Sequence, residues 1–217
     1  MPIKVFLADD HAVVRDGLRY ILEAQGDAVV IGDAANGRAA VQQTQQLHPD
    51  VVVMDIAMPE LNGVEATQQI RETCPASQVI ILSMHSTAEH ISRALQAGAR
   101  GYLLKESVGR EVVEAVRAVH AGRRYLSQEI AERVIDDYVQ QRQVAPREDP
   151  LARLSARERE ILQLVAEGKS SAKIAEILHL SPKSVNTYRS RLMRKLGVSD
   201  VAGLVRFALQ RGVTTLE

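Results

Sequence analysis

Short apolar runs alternate with longer stretches of helical periodicity over the first 122 residues. The apolar runs are Ile3-Lys4-Val5-Phe6-Leu7-Ala8, Ala28 to Gly32, Val51-Val52-Val53-Met54, Val79-Ile80-Ile81-Leu82 and Gly101-Tyr102-Leu103-Leu104. The third of these, four apolar residues of which three are β-branched, is too short for a buried helix and suits a strand covered on both faces. Between the runs lie helical patterns. The first sets Val13, Val14, Leu18, Ile21 and Leu22 on one face. Others follow at about 37–47, 64–72, 89–97 and 111–121, with His48-Pro49, Gly98 and Gly122 as stops.

Five strand–helix pairs predict right-handed βαβ crossovers and a parallel sheet with helices on both faces. The expected fold is α/β and flavodoxin-like, five-stranded, in the order 2-1-3-4-5. Beyond it, Ile130, Val134, Ile135, Tyr138 and Val139 keep near-helical spacing, which predicts a linker helix over 128–142. Residues 143–150 carry two prolines and three charges, the composition of a hinge. The chain then divides into domains at 1–122 and 151–217, joined by 123–150.

The back segment is helical throughout. Ser155 and Glu158 form a capping box ahead of a stripe of Ile161, Leu162 and Val165, and Gly168 ends that helix. Ser171 is placed to cap a second helix with Ile174, Ala175 and Leu178. Leu180-Ser181 makes a short turn, and Pro182 suits the first position of a third helix. This is a helix-turn-helix inside an all-α, four-helix domain. At about 100° per residue, Val185, Tyr188, Leu192 and Leu196 share the inner side of the third helix. Lys183, Thr187, Ser190 and Arg194 share the outer side, flanked by Asn186 and Arg191. A polar, cationic outer face is what a helix entering the major groove of double-stranded DNA presents. Arg189 projects near the packed side and takes no role from spacing alone. The last helix, about 198–210, is apolar over more than one stripe (Val201, Leu204, Val205, Phe207, Ala208, Leu209), and the excess covers either the core or a partner subunit.

Charge sharpens this division. The whole chain is neutral, yet residues 151–217 carry a net charge of +6 and residues 1–150 a net charge of −6. An acidic front and a basic back call for different partners, the latter anionic. The remaining composition, 46% hydrophobic and 25% charged, is that of a soluble globular protein. With 3% aromatic residues and no Trp, its cores are aliphatic. One cysteine, Cys74, excludes a disulfide framework and a multi-cysteine zinc site. No signal peptide is evident and no apolar run approaches the roughly 18 residues of a membrane span. A cytoplasmic protein without a membrane partner is expected.

The chemistry gathers at strand ends. In the expected order, strands 1 and 3 flank the topological switch point, where ligands bind, and their carboxyl ends carry Asp9, Asp10 and Asp55. Three converging carboxylates repel one another and raise each other's pKa. A hard divalent cation, Mg²⁺, relieves the conflict. Ser83 and Lys105 end the neighbouring strands, and His11 and His85 lie nearby. A nucleophilic carboxylate, a metal, a hydroxyl and an ammonium are the parts used in phosphoryl transfer to an aspartate.

Asp9-Asp10, Asp55, Met58-Pro59, Asn62-Gly63, Ser83 and Ala97 to Lys105 resemble the acceptor site of a two-component response-regulator receiver over residues 3–122. That resemblance implies that Asp55 takes phosphate from a sensor histidine kinase. It further implies that Asp10 and Asp55 bind Mg²⁺ with the Ala57 carbonyl, Asp9 acting through the metal's water. Ser83 and Lys105 would hold the phosphoryl oxygens, and Tyr102 would be the switch aromatic, moving inward as Ser83 turns. Glu106 replaces the proline that often follows the lysine, so an all-trans loop is expected, and Met84 stands where a small residue is common. Residues 152–211 resemble the LuxR-type output domain of the NarL/FixJ family through Leu154-Ser155-x-Arg157-Glu158, Ile174-Ala175, Leu178, Ser181, Ser184 to Tyr188 and Lys195-Leu196. By that resemblance Asn186, Thr187 and Ser190 approach bases, while Lys183, Arg191, Arg194 and Lys195 meet phosphate. Ala172 departs from a family lysine.

The combined expectation is a DNA-binding response regulator, not an enzyme on a separate substrate. Its phosphorylation would control a homodimer, built through Val201, Leu204, Val205 and Ala208, on inverted half-sites of a promoter, with RNA polymerase a further partner. Two readings stand beside it. One is an aspartyl-phosphate or flavin-binding enzyme, against which Ala57 replaces the second Asp such phosphatases need. The other is a constitutive DNA-binding protein with a vestigial receiver.

Overall fold

A computed structural model describes residues 1–141 and 150–214, except for the side chains of Arg110 and residues 136–141. The chain forms two compact units, Met1–Ala145 and Pro146–Glu217. Of the hinge expected over 143–150, all but Pro150 lies outside the described residues, as do the side chains of Tyr138 and Val139 in the linker stripe.

The first unit alternates β1 (Ile3–Ala8), α1 (Ala12–Glu23), β2 (Ala28–Ala34), α2 (Gly37–Leu47), β3 (Val51–Asp55), α3 (Gly63–Thr73), β4 (Gln78–Ser83), α4 (Ala88–Ala97), β5 (Gly101–Leu104), α5 (Val108–His120), β6 (Tyr125–Leu126) and α6 (Gln128–Gln141). All strand pairings are parallel, in the order β2-β1-β3-β4-β5-β6. The sheet therefore has six strands where five were expected. β6 adds to the edge, with Tyr102 opposite Leu126.

Successive residues of each inner strand feed opposite layers, which is why these runs are apolar without alternation. Val5, Leu7, Val51, Val53, Ile80 and Leu82 join Leu18, Leu22, Val112 and Val116 of α1 and α5. Phe6, Ala8, Val52, Met54 and Ile81 join Ala40, Ala66, Ile70, Ile91 and Ala94 of α2, α3 and α4. Ile130 of α6 is fully buried in that second layer, with Val134 packed beside it, so α6 belongs to the first unit's core and does not begin as free linker. Val13, expected on the inner face of α1, is exposed. Its position falls outside the arc that Leu18 and Leu22 bury.

The second unit has a short 3₁₀ turn at Pro150–Arg153, then α7 (Ala156–Ala166), α8 (Ser171–Leu178), α9 (Pro182–Leu196) and α10 (Val201–Gln210). The Ser155–Glu158 capping box is formed in both directions. Ser170, not Ser171, caps α8, accepting from Lys173 N–H at 3.2 Å. His179 at φ 52° turns the chain toward Ser181, which caps α9. Val185 and Leu192 of α9 are fully buried, while Tyr188 and Leu196 pack at the edge of the same core. Leu204 and Ala208 are also fully buried in it. Neither side chain is left for a partner subunit, and of the residues expected at a dimer face Val201 is exposed and Val205 half-buried. No described helix is long and apolar enough to cross a membrane.

Candidate functional site

Asp55 is the last residue of β3, and its neighbours are fixed by close approach as much as by hydrogen bonds. A Cβ at Gly63 would lie 2.1 Å from the Asp55 carbonyl oxygen, so α3 must begin with glycine to reach the strand end. Asn62 caps α3, accepting from Val64 and Glu65 N–H groups at 3.1 and 3.0 Å.

Asp9, at the end of β1, and Asp55 are both almost completely buried. Lys105 follows β5 and places Nζ 2.8 Å from Asp9 Oδ2 and 2.9 Å from Asp55 Oδ2. Burial raises the Asp55 carboxyl above its ordinary range, Asp9 adds to the rise, and Lys105 with the Ala57 N–H opposes it. Burial works to lower Lys105, but its two carboxylate partners override that and raise it. Single ligand atoms of Asp9, Asp10, His11 and Asp55 all lie within 4.8 Å of one another. Apart from the ion pairs to Lys105, Asp9 Oδ2 and Asp55 Oδ2 have no polar partner. A set of converging carboxylate oxygens with spare acceptor capacity fits a hard divalent cation such as Mg²⁺.

Two basic groups at this pocket carried no assignment from the sequence. His11 Nδ1 contacts Asp10 Oδ1 at 2.7 Å and Asp9 Oδ1 at 3.2 Å. Arg15, one turn into α1, donates to the Asp9 carbonyl oxygen at 2.7 Å and pairs with Asp33 at 2.9 Å. The spacing of Arg15 from Asp9-Asp10 was the available signal, but its partner Asp33 comes from β2.

Ser83 ends β4, and its Oγ accepts from His85 N–H at 2.9 Å. The Tyr102 side chain is already fully enclosed, donating its hydroxyl to the His85 carbonyl oxygen at 2.7 Å. Burial pushes that phenol up to about 12, the Asp55 charge adding to it against a hydrogen bond with Ser83 and the Arg93 charge. Ser127, which leads into α6, donates its N–H to the Tyr102 carbonyl oxygen at 3.2 Å. Tyr102 thus touches both the loop after Ser83 and the start of the linker helix. The rings of His85 and His90 stack at 4.9 Å, and burial, with the Arg93 and His85 charges, pushes His90 down to about 4. Met84 is exposed. No cis peptide bond occurs among the described residues, in keeping with Glu106 after Lys105.

On α9, Lys183, Asn186, Thr187, Ser190, Arg191, Arg194 and Lys195 are all exposed. Thr187 and Ser190 turn their hydroxyls back onto the Lys183 and Asn186 carbonyl oxygens at 3.0 and 3.1 Å. The Arg191 guanidinium lies 6.0 Å from the Tyr188 ring centroid. Lys195 has a partner within its own unit. Its Nζ pairs with Glu158 at 2.8 Å and so is committed within the unit. Arg189 donates to Ser171 of α8 at 2.9 Å.

Comparison with known proteins gives two family matches. Residues 5–117 match the response regulator receiver domain, and residues 152–208 match the bacterial regulatory proteins of the luxR family. The response regulator UvrY of Escherichia coli is 37% identical over 215 residues, 99% of this chain and 97% of that protein. The oxygen regulatory protein NreC of Staphylococcus epidermidis is 38% identical over 213 residues, 96% of this chain and 98% of its own. Among solved structures, the RcsB response regulator of Salmonella typhimurium aligns over 99% of both chains with 26% identity and a TM-score of 0.66. An RcsB–DNA complex aligns over 98% of this chain and 100% of that one, with 26% identity and a TM-score of 0.60.

Proposed function

This chain belongs to the two-component response regulators that join a receiver domain to a LuxR-type DNA-binding domain, and on that footing we propose that Asp55 is its phosphoacceptor and that α9 is its DNA-reading helix. The observation that carries the first assignment is the meeting of Asp9, Asp55 and Lys105 within 2.9 Å ion-pair distances at the sheet's carboxyl edge. A sensor histidine kinase is the expected donor.

In the proposed reaction an Asp55 carboxylate oxygen attacks the phosphorus of the donor, and the bond from phosphorus to the donor imidazole breaks. Asp10, Asp55 and the Ala57 carbonyl would hold Mg²⁺, with Asp9 acting through water. The bound ion supplies charge neutralisation for the phosphoryl oxygens. Lys105 moves from its carboxylate partners to a phosphoryl oxygen, which keeps the ammonium paired throughout. Ser83 turns its hydroxyl toward another, giving up its bond with Tyr102. Tyr102 then changes its hold on the His85 carbonyl and, through Ser127, on α6. The chemistry is self-directed, so the protein is a regulator and not an enzyme acting on a separate substrate.

The basic unit would dock on double-stranded DNA as a homodimer, setting two α9 helices in half-sites one turn apart. Exposed Val201 and half-buried Val205 are what α10 offers such a contact. RNA polymerase is a further expected partner at the promoter, and the cytoplasm the expected location. Acetyl phosphate with Mg²⁺, followed on a phosphate-affinity gel, tests the receiver. Wild type should give a retarded band that Asp55→Asn lacks. Absence of any phosphorylated band would leave a constitutive DNA-binding protein.

A further inference from the structure

The outer face of α9 is tied to α8 by a directed chain of hydrogen bonds. Arg189 Nη1 donates to Ser171 Oγ at 2.9 Å, and Ser171 donates to Asn186 Oδ1 at 2.8 Å. Guanidinium has no acceptor, so its N–H must occupy a Ser171 lone pair and leaves the hydroxyl proton for Asn186. Were the amide reversed, Ser171 would receive two donors and its own proton would have no acceptor in the network. One amide orientation therefore satisfies all three groups, and the shared direction of the bonds reinforces it. In that orientation Oδ1 is engaged with α8, while Nδ2 stands at the other end of an exposed side chain. Arg189, which the periodicity of α9 leaves without a role, acquires one here.

We infer that Ser171 and Arg189 are positioning residues that lock the Asn186 amide with its nitrogen outward, so that the reader helix selects a base acceptor, guanine O6/N7 or thymine O4. An unrestrained asparagine prefers adenine, because the N6/N7 edge takes the amide oxygen and nitrogen together. With Oδ1 held toward Ser171, Asn186 presents its Nδ2 donors to the groove, and an edge whose hydrogen-bonding groups are all acceptors (guanine O6/N7, thymine O4) suits them better than adenine, where the N6–H2 donor stands beside N7. The inference rests on α9 being the DNA-reading helix and names what one position of it reads.

The test uses the full-length protein. Sites are selected from a randomised duplex library, and affinities are then measured at one salt concentration for the selected site and its single-base variants. Asn186→Ala identifies the base position concerned. Wild type should prefer guanine or thymine there by about 5- to 100-fold. Ser171→Ala and Arg189→Met should reduce that preference to within about twofold and admit adenine, and Ser171→Ala, which changes no charge, should leave affinity for scrambled duplex unchanged. Ser171→Thr keeps a hydroxyl and should keep the preference, which separates positioning from mere folding. A preference for adenine in wild type, or an undiminished acceptor preference in Ser171→Ala, overturns the inference while leaving α9 as the reader. Failure of wild type to select any sequence overturns both.

Discussion

Lys105 Nζ lies 2.9 Å from Asp55 Oδ2, yet burial still leaves the Asp55 carboxyl raised. The folded protein therefore binds this proton more tightly than the unfolded chain does. Asp55 contributes stability that is complete below its ordinary pKa and lost as pH rises through the raised value. At neutral pH its ionised form is a cost. Asp55→Asn should accordingly raise the thermal midpoint at pH 7 by a few degrees, the size expected of about 1 kcal/mol in a chain of this length. Lys105→Ala, which removes the opposing cation, should lower it. Melting curves at pH 7 and below pH 5 check this, because the Asp55→Asn gain must shrink on acidification.

The same excess of negative charge predicts a response to metal. Mg²⁺ at 100 times its Kd should stabilise the wild-type protein by about 2.7 kcal/mol, since the unfolded chain offers no such cluster. EDTA should reverse the gain. Asp10→Ala removes a carboxylate that the pocket holds without Lys105, and should flatten the titration. A midpoint that does not move with Mg²⁺ in the wild type would remove the cation from the account.

Much of this architecture can be read from the chain, and the exceptions share a cause. Doubly covered strands announce themselves as unbroken apolar runs, and the ends of β1, β3 and β5 fix where Asp9, Asp55 and Lys105 meet, with Ser83 at the end of β4 beside them in the sheet. β6 does not announce itself, because Tyr125–Leu126 is two residues long and follows Arg123-Arg124, with no period to detect. The caps Ser170 and Ser171 are indistinguishable by composition, and the backbone alone chooses. Lys195 pairs with Glu158 from 37 positions away, and Leu204 and Ala208 disappear into a core whose other walls include α7, α8 and α9. Periodicity reports which face of a helix is apolar, not which long-range partner covers it.

Gly63 and Gly17 make a paired prediction of opposite sign. A methyl at Gly63 would meet backbone, the Asp55 carbonyl oxygen at 2.1 Å, so β3 and α3 must separate. Gly63→Ala should cost about 3 kcal/mol or more and slow phosphorylation by acetyl phosphate. Gly17 lies within α1 and a methyl there meets nothing within 4 Å. Gly17→Ala should stabilise by about 0.5–1 kcal/mol through helix propensity and leave phosphorylation unchanged. Thermal melts with a phosphorylation time course read both.

Lys195 and Arg194 are adjacent cations near the end of α9 that should behave differently. Burial works to raise the Glu158 carboxyl, but the Lys195 ammonium and the Ser155 hydrogen bonds override it and hold it below 4.5. A carboxylate so lowered contributes stability above its ordinary pKa and loses it as pH falls through the lowered one. Lys195→Ala should destabilise the DNA-binding unit by about 1 kcal/mol, a figure kept small by the lysine's exposure, and the deficit should fade as pH falls through the lowered Glu158 value. The salt dependence of DNA affinity should hardly change, because this ammonium is spent inside the protein. Arg194 stays available to phosphate. Arg194→Ala should leave the melt untouched and reduce the slope of log affinity against log salt by about 0.9, one phosphate contact. Binding isotherms over a salt series, beside pH-dependent melts, separate the two residues. Equal slope changes would return Lys195 to the DNA interface.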